Sequence, residues 1–314
     1  MVADPVRAVR MISDEYNNLE HYGRTVVTQL DGDFCRIDLS VLGMELTAET
    51  LGKLFYLSAK CESDGKAKLL HMLAVADDLI RNGKLPFSHG EFTAEKDKWE
   101  AQGYPAVHHS EVFRNTYKPA YRVISKKYVP YLYLFARLDS MLKDSSVRLA
   151  IEGGSAVGKT TLSGTLEKIY GCTVFHMDDF FLRPEQRTPE RFAEPGGNVD
   201  RERFLEEVLL PLSEGVDTIT YRPFDCSRFE LGNTEKVHPS RLCVTEGAYS
   251  MHPELERFYD ISVFIELPLE ERRKRILKRN PDMADRFFNE WMPMEDRYFH
   301  EFNIKDRCTF KIEL

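Results

Sequence analysis

Nine residues decide the fold: Gly153-Gly154-Ser155-Ala156-Val157-Gly158-Lys159-Thr160-Thr161. They match G-x-x-x-x-G-K-[ST], the phosphate-binding loop that joins a strand to a helix. Residues 147–151 ahead of the loop have the composition of a short buried strand, and residues 162–170 behind it have the apolar spacing of a helix. A glycine-rich turn without a ligand is the alternative, but it leaves the lysine and the hydroxyl unexplained. The sequence therefore predicts an α/β fold with a parallel sheet flanked by helices.

The loop also predicts ligands. In such loops the backbone N–H groups surround a phosphate at a helix N-terminus. All nine residues are therefore predicted to bind a nucleotide. Lys159 is expected to reach the β and γ phosphates of ATP, and the Thr160 hydroxyl is expected to ligate Mg²⁺.

Length and charge bound the remaining possibilities. A chain of 314 residues predicts two domains, which we place at 1–144 and 145–314. The first part has a net charge of −1 and the second −7. Neither part is basic, so nucleic acid is an unlikely partner by composition. Six cysteines without a C-x-x-C pair, and no apolar run that could cross a membrane, predict a cytoplasmic protein. The sequence leaves open whether copies assemble into a homo-oligomer.

Helices dominate the first 144 residues. One strand is predicted over residues 34–39, after the turn at residues 31–33. Helical spacing or helix-start signals occur over 5–30, from 47, over 66–80, from 93, from 110 and over 130–142. We therefore predict a mostly helical N-terminal domain. Nothing in it indicates a function.

Carboxylates follow two predicted strands of the second half. Asp178 and Asp179 come after residues 173–177, and Glu246 ends the strand over residues 241–247. Ligands of open α/β sheets bind at the carboxyl ends of the strands. A carboxylate there can accept a proton from an attacking hydroxyl or hold Mg²⁺, and Glu246 is predicted as the metal-binding acid. The alternatives are that the aspartates cap a loop and that Glu246 faces solvent.

Two helices follow in the second half. Asp200 is a plausible N-cap for a helix over residues 203–212. A second helix is predicted from Pro268 to Arg279, and it carries many basic residues. Such a charge run is either a solvated face or a lid that closes over phosphates.

Residues 151 to about 302 resemble the P-loop kinases of the uridine kinase, phosphoribulokinase and pantothenate kinase group, and uridine kinase-like proteins most closely. Beside the loop, the resemblance lies in three motifs: Asp178-Asp179-Phe180-Phe181, Asn198-Val199-Asp200 and Glu246-Gly247-Ala248-Tyr249. It implies that Asp178 is a general base. It also implies that Asp200, Tyr221 and Arg228 bind the substrate and that Arg272, Arg275 and Arg279 belong to a mobile lid. Of these arginines, Arg275 is predicted, with Lys159, to act in catalysis.

One position departs from that pattern. Uridine kinases have a histidine just before the Ser-Arg pair, whereas this chain has Cys226 before Ser227 and Arg228. The departure leaves phosphoryl transfer intact and puts specificity for uridine in doubt. The resemblance covers only the second half of the chain.

Two functions remain open. The first is an ATP- and Mg²⁺-dependent kinase that transfers the γ-phosphoryl to a hydroxyl of a small molecule, either a nucleoside or another acceptor such as pantothenate or a sugar phosphate. The second is a nucleotide-dependent switch whose N-terminal domain binds a protein or RNA. The acceptor-side residues favour the kinase, because a switch does not need them.

Overall fold

The computed structural model of the chain describes residues 5–19, 25–30, 32–59, 64–105, 107 and 109–314. The chain divides into two compact units. The first comprises residues 1–42 and 51–126, and the second comprises residues 43–50 and 127–314. The domain boundary at residues 144 and 145 stays a prediction.

The first 126 residues form helices and a small sheet. Among their described residues, three strands pair antiparallel in the order β1-β2-β3. Cys35 and Ile37 of β2 are buried, whereas their neighbours Phe34 and Arg36 are exposed, which is the alternation of a sheet with one face on a core. The elements are α1 (Pro5–Asn17), β1 (Val27–Gln29), β2 (Phe34–Asp38), α2 (Ala48–Ser58), α3 (Gly65–Arg81), α4 (His89–Ala101), α5 (Glu111–Tyr117) and β3 (Tyr121–Ser125).

The predicted helices of this part are largely confirmed, with two corrections. The helix predicted over residues 5–30 ends at Asn17, and β1 follows; residues 20–24 lie outside the described residues. α4 begins at His89 rather than near Thr93, because the Ser88 side chain accepts a hydrogen bond from Glu91 N and caps the helix there. The strand predicted over residues 34–39 is β2.

The second unit contains a parallel sheet of five strands within the continuously described stretch from residue 109 onward, in the order β12-β11-β4-β10-β5. This confirms the predicted α/β fold with a parallel sheet flanked by helices. The elements are α6 (Leu132–Asp144), β4 (Val147–Glu152), α7 (Lys159–Tyr170), β5 (Thr173–His176), α8 (Pro189–Ala193), α9 (Arg201–Phe204), α10 (Leu210–Glu214), β6 (Ile219–Tyr221), β7 (Phe224–Asp225), β8 (Glu230–Leu231), β9 (Glu235–Val237), β10 (Leu242–Glu246), β11 (Ile261–Glu266), α11 (Leu269–Arg279), α12 (Ala284–Arg286), α13 (Met292–Glu301), α14 (Ile304–Arg307) and β12 (Phe310–Glu313).

The three central strands are buried along almost their whole length, which is typical of parallel strands covered on both faces. The pairing of these three strands sets the positions of the residues at their carboxyl ends. Glu246 at the end of β10 stands level with Ile151 of β4 on one side and with His176 of β5 on the other. The carboxyl ends of three strands therefore meet at one edge of the sheet, where the phosphate loop begins.

A buried carboxylate explains why α6 belongs to the second unit. Asp139 on α6 accepts hydrogen bonds from the backbone N–H and the hydroxyl of Thr47, from the Thr50 hydroxyl and from the Tyr170 hydroxyl of α7, at 2.7 to 2.9 Å. Removing such a shared acceptor leaves several buried donors unpaired. In the described part of the chain, every helix is too short or too polar to cross a membrane.

Candidate active site

A cavity of about 1130 Å³ lies at the carboxyl edge of the parallel sheet. Its walls bring together many of the predicted residues, among them Lys159, Thr160, Asp178 and Glu246. The other predicted residues on its walls are Ser155, Ala156, Gly158, Thr161, Arg275 and Arg279. One cavity thus holds the phosphate loop, two carboxylates that stand at or just after the ends of different strands, and two arginines of α11.

The loop backbone needs its glycines. Gly153 has a φ of +141°, and a Cβ there would lie 2.4 Å from the carbonyl oxygen of Ile265. Gly158, with a φ of +116°, precedes the first residue of α7, which is Lys159. The Lys159 ammonium donates to the carbonyl oxygens of Gly153 at 2.8 Å and Gly154 at 3.0 Å, so its charge lies across the mouth of the loop. At Gly153 and Gly158, any residue other than glycine would strain the backbone.

A carboxylate that sequence reasoning missed holds the loop in place. Glu295 of α13 accepts from the Ser155 backbone N–H at 2.9 and 3.0 Å, and from the Ser155 hydroxyl. Arg272 of α11 donates to Glu295 at 2.9 Å and to the Ser155 carbonyl at 3.0 Å. Both charged side chains are buried, and a Cβ on Gly154 would lie 2.3 Å from the Arg272 guanidinium. Arg272 and Glu295 therefore form a buried ion pair packed against the loop.

The predicted metal-binding pair is assembled at the sheet edge. The Thr160 hydroxyl donates to Glu246 Oε1 at 3.0 Å, and His176 Nδ1 lies 2.7 Å from the same oxygen. The hydrogen bond to Glu246 raises the pKa of His176. Burial would raise the pKa of Glu246, but His176 and Lys159 outweigh burial and lower it. The ionised form of Glu246 is therefore favoured. Its carboxylate oxygen and the Thr160 hydroxyl are hard ligands that suit Mg²⁺. Sequence reasoning missed His176.

Asp178 and Asp179 differ in what they face. They lie in a 3₁₀ turn over residues 177–180, not in a strand, so the alternation of a strand does not separate them. Asp178 lines the cavity and Asp179 does not. Burial raises the pKa of Asp178 and Lys159 opposes this effect. Burial raises the pKa of Tyr221 to about 12, and the negative charge of Asp179 contributes to this rise. The two adjacent carboxylates therefore have different surroundings.

Three residues predicted to bind substrate do not line the cavity. Asp200 is 1% exposed and caps α9 by accepting from Arg203 N at 3.2 Å. Tyr221 is buried with its ring stacked on Phe180, 5.5 Å between centroids. Arg228 is exposed and pairs with Glu230 at 2.7 Å. Their roles in binding substrate stay predictions.

The three predicted lid arginines occupy different places along α11. Arg272 is buried against the loop, as described above. Arg275 lines the cavity and donates to the carbonyl oxygens of Ala156 and Val157 at 3.3 and 3.2 Å. Arg279 also lines the cavity, and its charge is one of those that lower the pKa of Asp178. Of these three arginines, only Arg275 and Arg279 therefore present their charge to the cavity.

A second buried carboxylate stands directly before the loop. Glu152 is fully buried and accepts from the backbone N–H groups of Gly153, Tyr249 and Met251 at 2.9 to 3.2 Å. The Tyr298 hydroxyl donates to it at 3.1 Å. Burial raises the pKa of Glu152 to about 7 despite these donors. An acidic residue at the end of a mostly apolar strand was the available signal for this site.

The second unit thus combines a parallel sheet flanked by helices with a G-x-x-x-x-G-K-T loop between β4 and α7. Its relatives are more particular: the chain is 28% identical over 160 residues to the uridine kinase of Haemophilus influenzae strain PittEE, covering 46% of this chain and 73% of that protein. It is 26% identical over 144 residues to the uridine kinase of Chlamydia pneumoniae, covering 42% and 63%. About half of this chain is thus similar to uridine kinases, which supports a kinase of this general type. No family model matches the chain.

Two solved structures show a weaker likeness to this chain. One is described as a possible uridine kinase from Bacillus stearothermophilus, with 22% identity, a TM-score of 0.43 and coverage of 57% of this chain and 98% of that one. Another is the shikimate kinase of Aquifex aeolicus, with 18% identity, a TM-score of 0.28 and coverage of 53% and 85%.

Proposed function

We propose that the second unit transfers the γ-phosphoryl of ATP to a hydroxyl of a small molecule. One observation carries the proposal: the phosphate loop, the Thr160–Glu246 pair and Asp178 all face the same cavity. A switch that only hydrolyses a nucleotide needs the first two. The third feature, the Asp178 carboxylate that lines the cavity, suits a base for an acceptor.

The loop side of the cavity would bind the triphosphate. Lys159, Arg275 and Arg279 supply positive charge where the transferred phosphoryl gains negative charge in the transition state. Thr160 and Glu246 would hold Mg²⁺, which neutralises phosphate charge when bound. Arg272 and Glu295 would hold the loop through their hydrogen bonds with Ser155.

Asp178 would act on the acceptor. Its carboxylate accepts the proton of the attacking hydroxyl as the oxygen forms its bond to the γ-phosphorus, and the bond from that phosphorus to the bridging oxygen of ADP breaks. A raised pKa makes Asp178 a better proton acceptor near neutral pH than an ordinary aspartate. Most of the rate enhancement would come from positioning the hydroxyl and stabilising charge.

The acceptor is not fixed by the similarity to uridine kinases. Cys226 lines the same cavity as Asp178, so the departure from their motif lies where an acceptor would bind. A nucleoside, pantothenate and a sugar phosphate therefore all stay open as acceptors.

The test is ATP turnover with and without a panel of alcohols, on wild type, Lys159→Ala and Asp178→Asn. We expect an acceptor to stimulate turnover and to appear as a phosphorylated product. Both substitutions should abolish most of the transfer. Turnover that no alcohol stimulates, but that a protein or RNA does, would contradict the kinase and support the switch.

A further inference from the structure

Arg187 lies on the acceptor side of the cavity. It lines the cavity together with Asp178, Cys226 and Phe229. Its Nε donates to the carbonyl oxygen of Leu182 at 2.9 Å. Among residues 109–314 and the other described ranges, no carboxylate forms an ion pair with it. A guanidinium that keeps several N–H donors free in a concave site is suited to an oxyanion.

The side chain is held in place by aromatic rings. The Arg187 guanidinium lies 4.2 Å from the ring centroid of Phe229 and 5.6 Å from that of Phe224. Phe229 has a φ of +60°, a left-handed conformation that is costly for a bulky residue, and its backbone N–H donates to Asp225 O at 2.7 Å. The Phe229 ring therefore lies over the Arg187 guanidinium while the Phe229 backbone is strained.

A second arginine faces the same space. Arg286 also lines the cavity. Burial lowers the pKa of Arg187, and the charge of Arg286 lowers it further. Two cations that repel each other across a cavity are stabilised by an anion between them. The Arg286–Glu290 pair at 3.3 Å is more than half exposed, so it offsets little of this repulsion.

Cys226 lines the cavity together with Arg187 and with Asp178, the predicted base. Burial raises the pKa of the Cys226 thiol, the charge of Asp178 raises it further and Arg187 lowers it. Cys226 therefore lies within electrostatic reach of both groups. Asp178, Cys226 and Arg187 line one cavity, so an acceptor bound between Asp178 and Arg187 would pass Cys226.

The cavity as a whole is also cationic. Its lining includes six basic side chains and four acidic ones, although the chain has a net charge of −8. Lys159 and Arg275 contact carbonyl oxygens of the phosphate loop, where a nucleotide would use them. Arg187 lies on the Cys226 side, so a triphosphate on the loop does not account for it.

We propose that the acceptor is an anionic alcohol, whose carboxylate or phosphate binds Arg187 while its hydroxyl lies at Asp178. The inference rests on the proposed function and narrows its substrate class. The anionic group takes no part in the bond changes: the hydroxyl proton goes to Asp178, the new O–P bond forms, and ADP leaves. It orients the hydroxyl and sets specificity.

The test compares matched pairs of probes: glycerol with D-glycerate and with glycerol 3-phosphate, ribose with ribose 5-phosphate, and pantothenol with pantothenate. The kcat/KM for phosphoryl transfer is measured for each on wild type, Arg187→Gln and Arg187→Lys. Arg257→Gln is the matched control, because the Arg257 guanidinium also lies over a phenylalanine, 4.9 Å from the ring centroid of Phe258, but outside this cavity. The carboxylate and phosphate probes separate the two sources of the anion.

For at least one pair we expect the anionic member to be preferred about tenfold or more, the scale of one charge-assisted hydrogen bond. Arg187→Gln should remove the preference, Arg187→Lys should keep part of it, and Arg257→Gln should leave it unchanged. Equal rates within every pair, or a preference that survives Arg187→Gln, overturn the inference while the kinase stands. Transfer to no alcohol at all, or full activity in Lys159→Ala, would instead remove the proposed function and the inference with it.

Discussion

The Arg272–Glu295 pair allows a prediction about what holds the phosphate loop. Glu295→Gln keeps the volume of the side chain and removes its charge, so the Arg272 guanidinium, 9% exposed, loses its carboxylate partner. Leaving one member of a buried ion pair uncompensated costs about 3–5 kcal/mol. For a unit of this size, each kcal/mol lowers the unfolding midpoint by about 2–4 °C, so a fall of roughly 6–20 °C is expected.

The control is Glu290→Gln. Glu290 precedes the same helix and pairs with Arg286, but this pair is exposed, so its loss should cost no more than about 1 kcal/mol. The assay is thermal unfolding without ligand, followed by circular dichroism. If Glu295→Gln shifts the midpoint no more than Glu290→Gln does, the pair does not hold the loop. A double variant with Arg272→Met should be less destabilised than the sum of the two single variants, because no buried charge is then unpaired.

Three further predictions concern the phosphate loop, the carboxylate before it and the acceptor. Lys159→Ala should lower phosphoryl transfer by roughly 10²-fold or more, because it removes charge from the transition state, and should leave the unfolding midpoint nearly unchanged; unfolding on substitution would count against a role in transfer. Because burial raises the pKa of Glu152 to about 7 from an ordinary value of 4.5, the folded protein binds the extra proton, and the free energy of unfolding should fall by about 3 kcal/mol as pH rises from about 4.5 to about 7. Glu152→Gln should flatten that part of the pH profile, and an unchanged slope would contradict the assignment. With Cys226 in place of the expected histidine, uridine and cytidine should be poor acceptors, and a kcat/KM for uridine on the order of 10⁴ M⁻¹s⁻¹ or more would refute this.

Local patterns predicted the parts of the fold that local interactions build. The phosphate loop, the strand that ends at Glu246 and the helix from Pro268 to Arg279 were all readable, because each combines an apolar run with turn or cap residues. The Asp200 cap was also predicted, since capping involves residues three apart. The meeting of Thr160 with Glu246 followed from the parallel sheet, whose strands end at one edge.

Contacts between distant residues were not readable. Glu295 lies 140 positions from Ser155, and no spacing rule joins them. Arg272 lay in a run of similar charges, and its packing against Gly154 and its ion pair with Glu295 distinguish it from Arg275 and Arg279. The choice of Asp178 over Asp179 rested on the resemblance to uridine kinases, because both residues lie in a 3₁₀ turn where no strand alternation separates them. Tertiary packing decided each of these cases.

The central claim is that Asp178 serves the acceptor and not the nucleotide. The most direct measurement is single-turnover phosphoryl transfer, with the best acceptor of the panel, set beside equilibrium binding of Mg²⁺-nucleotide for Asp178→Asn and Asp179→Asn. We expect Asp178→Asn to slow transfer by roughly 10²–10⁴-fold with nearly unchanged nucleotide affinity, because it keeps the shape and removes the base. Asp179→Asn should cost much less. A crippled Asp179→Asn, or an Asp178→Asn whose nucleotide affinity falls as far as its transfer rate, would contradict this account.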